Sequence, residues 1–148
     1  MTCELTGLAV ASPGAVYRPH IDGAWPASAL REVTAAEGGE VSREYMYDGY
    51  GDRRSRLTFL LYLNDDFAGG DTTFFLPGAE VGVVEARGVS PRAGSVLCFP
   101  HGDGAGSLVH EGSAVYSGCK YIVRTDVLYS VSPSNKAGGR EESQLPQD

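Results

Sequence analysis

The run Leu57-Thr58-Phe59-Leu60-Leu61-Tyr62-Leu63 constrains this chain more than any other stretch. It is apolar almost throughout, the pattern of a strand buried on both faces. Leu5–Ala11 reads as another strand, followed by a Ser12-Pro13-Gly14 turn and a strand running into His20. After a turn at Asn64–Gly70 come Asp71–Leu76, Val81–Ala86, Ser95–Pro100, Ser107–His110 and Lys120–Val131. Gly, Pro, Asn or Asp punctuates nearly every gap, and 20 glycines suit a chain with frequent turns. About eight strands without a convincing long helix predict an all-β fold with minor helix, in the form of a sandwich, barrel or jelly roll.

The pattern breaks down between Asp22 and about Ser55. Ala27–Ala36 reads as a helical turn or two, and Glu37–Ser55 is polar and rich in glycine. A stretch this long without clear structure is commonly a functional lid or a disordered insertion. Trp25, Tyr45, Tyr47 and Tyr50 make it more aromatic than disordered loops tend to be. It reads either as a flap over a substrate or as a packed, inert insertion. Trp25, Tyr47 and Tyr50 are then the candidates to shape a substrate cleft, with Asp48 and Asp52 beside them. Ser132–Asp148, with its Ser, Pro, Gly and charge, reads as a disordered tail. The length of 148 residues suits one domain over residues 1–131, with an insertion at about 23–55 and the tail at 132–148.

A net charge of −7 argues against a nucleic-acid partner, which normally meets a basic face. No run approaches the roughly 18 apolar residues of a membrane span. Cys3, Cys98 and Cys119 form neither a paired framework nor a Cys-x-x-Cys motif, so they read as buried structural thiols. That usage leans intracellular. No charged region followed by an apolar run marks a signal peptide at the N-terminus. The candidate site begins only about twenty residues in, so Met1 opens either a whole chain or a piece of one.

That site starts at His20 and Asp22. Two residues apart on an extended backbone, their side chains leave the same face and can grip one ion. Pro19 removes a backbone donor just before them, which suits a strand end or edge. A second histidine from far along the chain would complete two histidines and one carboxylate. Such a set leaves coordination positions open and favours non-haem Fe(II). Only His101 and His110 can supply it. His101 lies in a glycine-flanked turn, whereas His110 closes a strand and would be held more rigidly.

Four motifs in order carry a wider pattern. They are Tyr17-Arg18-Pro19-His20-Ile21-Asp22; Leu60-Leu61-Tyr62-Leu63-Asn64-Asp65-Asp66-Phe67-Ala68-Gly69-Gly70-Asp71-Thr72-Thr73-Phe74; Val89-Ser90-Pro91-Arg92-Ala93-Gly94-Ser95-Val96-Leu97-Cys98-Phe99; and His110-Glu111-Gly112 with Gly118-Cys119-Lys120-Tyr121-Ile122-Val123-Arg124-Thr125-Asp126. Over roughly Leu8 to Tyr129, leaving out the insertion, they resemble the catalytic domain of the prolyl 4-hydroxylase-like 2-oxoglutarate/Fe(II) dioxygenases. The resemblance implies a double-stranded β-helix, a jelly-roll barrel with the iron in its mouth. It implies His20, Asp22 and His110 as iron ligands and Lys120 as the cation for the distal carboxylate of 2-oxoglutarate. Tyr62 would bond the same carboxylate, and Tyr17 would line the pocket beside the iron. It implies decarboxylation to succinate with hydroxylation of a C–H bond in a small molecule, peptide or protein, a peptidyl proline being the family's best-known target. Ascorbate is the expected reductant.

A dicarboxylate needs a fixed cation at one end, worth about 1.5–3 kcal/mol as a charge-assisted bond. Arg124 shares a strand face with Lys120 and is a rival anchor. The alternative makes both solvent-facing charges on an edge strand, with Tyr121, Val123, Thr125 and Val127 facing the core. Where relatives often carry a tyrosine near the end of the first strand, this chain has Val10-Ala11-Ser12, which removes a polar contact. Two other readings stay open: a non-catalytic jelly-roll binding module, and a cupin-type hydrolase or isomerase using zinc or manganese without need of Lys120.

Overall fold

A computed structural model describes residues 2–34, 41–102 and 104–131. Among these residues the fold is all-β with antiparallel sheets, consistent with a jelly-roll, and contains no helix. No helix among them is therefore long and apolar enough to cross a membrane. One sheet has the order β1 (Thr2–Ala11), β12 (Lys120–Ser130), β5 (Arg53–Tyr62), β9 (Val96–Pro100). The other runs β2 (Tyr17–His20), β10 (Val109–Gly112), β7 (Thr72–Pro77), β8 (Val84–Val89). Two small ribbons complete it: β6 (Ala68–Gly69) with β11 (Val115–Ser117), and β3 (Ala29–Thr34) with β4 (Val41–Met46).

The apolar run lies in β5, but only one of its faces is fully buried. Thr58, Leu60 and Tyr62 point inward and are buried, while Leu57, Phe59 and Leu61 are half-covered. No helix among the described residues lies over that outer face, which accounts for the difference. β12 is no edge strand: it pairs with β1 on one side and β5 on the other. Pro19 does sit on an edge, because β2 pairs only with β10. Leu60, Phe74 and Phe99 form the buried apolar cluster between the sheets, with Leu97, Leu108 and Ile122 against it. Phe74 and Phe99 meet edge to face with ring centroids 5.0 Å apart.

The helical reading of Ala27–Ala36 is corrected by the β3–β4 hairpin, which covers Ala29–Thr34 of that stretch. Cross-strand pairs unavailable to local pattern decide it: Arg31 opposes Glu44, and Glu32 opposes Arg43. The start of the insertion is tied to β5, with the Ser55 N–H donating to the Trp25 carbonyl at 2.8 Å. Strand β8 begins at Val84 rather than Val81, β10 runs on to Gly112, and β11 was not anticipated. The thiol reading also changes. Cys98 is exposed on β9 and Cys119 is half-buried, since Leu97 and Phe99 take the inward positions. Residues 132–148, read as a tail, lie outside the described residues, as do Ala35 and Ala36.

Candidate metal centre

Register brings the two imidazoles together. β10 sets His110 directly opposite His20 of β2, and their ring centroids lie 4.4 Å apart. Asp22 follows β2 and is buried. One ligand atom from each of His20, Asp22 and His110 falls within 4.8 Å of the other two. His20 Nε2 lies 3.3 Å from Asp22 Oδ1, and His110 Nε2 lies 3.7 Å from Asp22 Oδ2. An ion bonded at about 2.1 Å to ligands at right angles would hold them about 3 Å apart, so the cluster is of the right size.

Hydrogen bonding supports the same use. His20 Nδ1–H donates to the Arg18 carbonyl at 2.8 Å, and His110 Nδ1–H donates to the Leu108 carbonyl at 3.2 Å. A carbonyl can only accept, so both protons sit on Nδ1 and both Nε2 lone pairs face the cluster. This is the orientation that metal-bound imidazoles take. Burial alone would raise the Asp22 carboxyl. The Thr58 hydrogen bond, the Arg124 guanidinium and the two histidines outweigh it and hold the group below the usual carboxylate range. Burial lowers the His110 value, which keeps that ring neutral and able to ligate. An ionised carboxylate and two imidazoles that each present Nε2 fit a divalent ion with open positions.

The cavity beside this cluster has a volume of about 370 Å³. Lys120, Ile122 and Arg124 all line it, so this face of β12 points inward. Lys120 is buried, and its Nζ donates to the Gly70 carbonyl at 2.6 Å. Gly70 makes room for that side chain: a Cβ there would lie 3.3 Å from Lys120 Cδ and 2.9 Å from the Phe67 ring. Its φ of +71° is also one that residues with a Cβ rarely adopt. Burial pulls the Lys120 ammonium below its ordinary value, partly offset by Asp71. A buried cation lining the cavity suits an anion.

Tyr62 is buried but does not line the cavity. Its hydroxyl is bonded to Thr72 Oγ1 at 2.7 Å, and Thr72 takes the lining position. Arg124 is half-exposed and already engaged, 3.1 Å from Asp22 Oδ1 and 3.5 Å from Asp126 Oδ1. Tyr17 lines the cavity at its rim, mostly exposed, with its ring edge-on to His20 at 4.5 Å between centroids. Ala9, Val10, Ala11, Ala15 and Val16 supply an apolar wall, so the missing tyrosine near the end of β1 leaves aliphatic surface.

Trp25, Tyr47 and Tyr50 do not line this cavity. Tyr50 instead lies under the Arg53 guanidinium, 4.0 Å from ring centroid to Cζ, and all three are exposed. Asp48 holds Arg54 through two bonds of 2.9 Å, and Asp52 lies 3.8 Å from Arg53. His101 is not part of the metal cluster. Its Nδ1 is 2.7 Å from Thr58 Oγ1 and its Nε2 is 2.8 Å from Ser55 Oγ. Sequence reasoning misses Thr58 and takes Thr72 as part of a structural Gly-Gly-x-Thr turn rather than as a group of the site. The period-two pattern of β5 and the Gly-Gly-x-Thr turn were the available signals.

Comparison with known proteins gives one match over most of the chain. The family model described as the 2OG-Fe(II) oxygenase superfamily matches residues 6–125. No curated protein matches the chain.

Proposed function

Because the chain belongs to the 2OG-Fe(II) oxygenase superfamily, we propose that the cavity is the active site of a hydroxylase with His20, Asp22 and His110 as its iron ligands. The family implies Fe(II) and 2-oxoglutarate, and the donor set fits them. The observation that carries the reading is the pair of Nε2 lone pairs aimed, with the Asp22 carboxylate, at one point. Bound there, Fe(II) with 2-oxoglutarate supplies the O2-activating oxidant that side chains lack. The overall change is substrate C–H, O2 and 2-oxoglutarate to substrate C–OH, succinate and CO2.

The chain's own residues would bind, orient and exclude water. Lys120 is the anchor for the distal carboxylate of 2-oxoglutarate, a charge-assisted bond made by a buried ammonium. Thr72 lines the cavity bonded to the hydroxyl of Tyr62, whose ring centroid lies 5.3 Å from Lys120 Nζ, and would take a second hydrogen bond. Arg124 serves Asp22 and Asp126 rather than the cosubstrate. Tyr17 and the wall from Ala9 to Val16 face the substrate, which suits an aliphatic group such as a peptidyl proline in the prolyl 4-hydroxylase manner. Ascorbate would maintain the iron as Fe(II). Residues 1–131 form the oxygenase domain in this reading, with the segment at about 23–55 outside the chemistry. Zinc or manganese hydrolysis of the cupin type is disfavoured because it gives no reason for a buried Lys120.

The test is succinate formation from 2-oxoglutarate by the Fe(II)-loaded protein across a panel of proline-containing peptides and small aliphatic compounds. Succinate matched by a product 16 mass units heavier supports the reading. No succinate with any of them, while iron is bound, would contradict it.

A further inference from the structure

His101 is buried and both of its ring nitrogens are engaged, yet neither the ion nor 2-oxoglutarate requires it. The direction of its hydrogen bonds can be worked out by counting protons. Thr58 Oγ1 lies 2.6 Å from Asp22 Oδ2, and an ionised carboxylate only accepts, so the single Thr58 proton points at Asp22. His101 Nδ1, 2.7 Å from the same oxygen, must then donate to it. With that single N–H at Nδ1, the arrangement proposed here has His101 Nε2 accept from the Ser55 hydroxyl at 2.8 Å. Ser55 Oγ in turn accepts the Trp25 backbone N–H at 2.8 Å. Every proton in this series is used once, and all bonds run one way, from Trp25 to Asp22.

A second contact favours the same arrangement. Asp126 Oδ1 is buried, makes no hydrogen bond, and lies between the Arg124 guanidinium at 3.5 Å and His101 Nδ1 at 4.0 Å. An acceptor oxygen there favours the proton on Nδ1, the less common tautomer of a free imidazole.

We infer that His101, acting through Thr58, is a positioning residue for Asp22: it fixes the Thr58 hydroxyl as a donor to Oδ2 and so holds the carboxylate in one orientation, with Oδ1 between His20 and Arg124. This rests on the metal reading above. Without His101, the Thr58 hydroxyl is free to rotate away and Asp22 Oδ2 loses its partner. The carboxylate, held then only by Arg124 at Oδ1, is free to turn out of the orientation that faces His20 and His110. Partners of this kind are worth about 10- to 100-fold in metal affinity.

Two measurements decide it. Nitrogen-15 NMR of the metal-free wild-type protein should find His101 neutral with its proton on Nδ1. A proton on Nε2, or on both nitrogens, would overturn the inference without recourse to any variant. Co(II) titration with visible spectra should then show Thr58→Val binding about 10- to 100-fold more weakly with an altered d–d band, and Thr58→Ser restoring both. Thr58→Val matching wild type in affinity and spectrum would overturn the positioning role alone. Wild-type protein that fails to bind Co(II) would overturn the metal reading as well.

Discussion

The two four-stranded sheets build their halves of the cavity in different ways. The sheet of β2, β10, β7 and β8 supplies both imidazoles from four-residue strands, held opposite each other by one register pair. The sheet of β1, β12, β5 and β9 supplies Lys120, Arg124 and Thr58 from strands of ten and eleven residues. On the first sheet geometry is the scarce quantity, because a one-residue slip would turn an imidazole to the other face. On the second sheet the difficulty is electrostatic, because long strands hold a buried ammonium that would be better solvated in water. The metal half should therefore respond to changes in ligand identity, and the anion half to changes in charge.

His110→Ala separates the halves most sharply. It should weaken Co(II) or Mn(II) binding by more than about 100-fold, beyond what outer partners of a ligand contribute, as measured by anaerobic calorimetry. Lys120→Met should leave metal affinity within about threefold of wild type. It should weaken 2-oxoglutarate binding by about 10- to 150-fold, the equivalent of 1.5–3 kcal/mol. Its thermal midpoint should equal or exceed that of wild type, since a buried cation whose desolvation the Gly70 carbonyl and Asp71 only partly offset is removed. A destabilised Lys120→Met protein would mean the ammonium is structural.

The halves should also differ in pH dependence of metal-free stability. His110 has a folded value below its unfolded 6.5, so the unfolded chain binds more protons as pH falls below that point. Its contribution is complete above 6.5 and is lost as pH drops toward the folded value. Lys120 is lowered from 10.5, so stability should rise as pH climbs toward 10.5. Denaturant melts across pH should show the acid loss flattened in His110→Asn and the alkaline gain absent in Lys120→Met. The smallest effects belong to the hairpin side. Trp25→Ala and Tyr47→Ala should change stability by no more than about 0.5 kcal/mol, as exposed positions usually do. Both should leave 2-oxoglutarate affinity unchanged within error, and a large loss would bring these residues back to the cleft.

Much of the fold was legible because it is written locally. Period-two runs and Gly/Pro punctuation marked most strands, and Pro19 marked an edge. The spacing of His20 and Asp22 puts both side chains on one face, but that pattern alone is a weak signal and the motifs around it carried the reading. His101 and His110 were harder to tell apart, because what distinguishes them is long range. His101 has both nitrogens taken by Ser55 and Thr58, 46 and 43 residues away, whereas His110 keeps Nε2 free. The β3–β4 hairpin was misread for the same reason: its charge pairs span two segments that look helical or featureless separately. Which face of β12 turns inward was undecidable from alternation, since both faces carry apolar residues; Lys120, Ile122 and Arg124 lining the cavity, with Lys120 bonded to Gly70, show it.

The most direct test of a cavity shared between the two sheets is anaerobic titration of Fe(II)-loaded protein with 2-oxoglutarate, followed by visible absorption. The expected result is a charge-transfer band that needs both additions, is absent in His110→Ala and is displaced to much higher 2-oxoglutarate in Lys120→Met. A band indifferent to both substitutions, or none in the wild-type protein with iron bound, would contradict it.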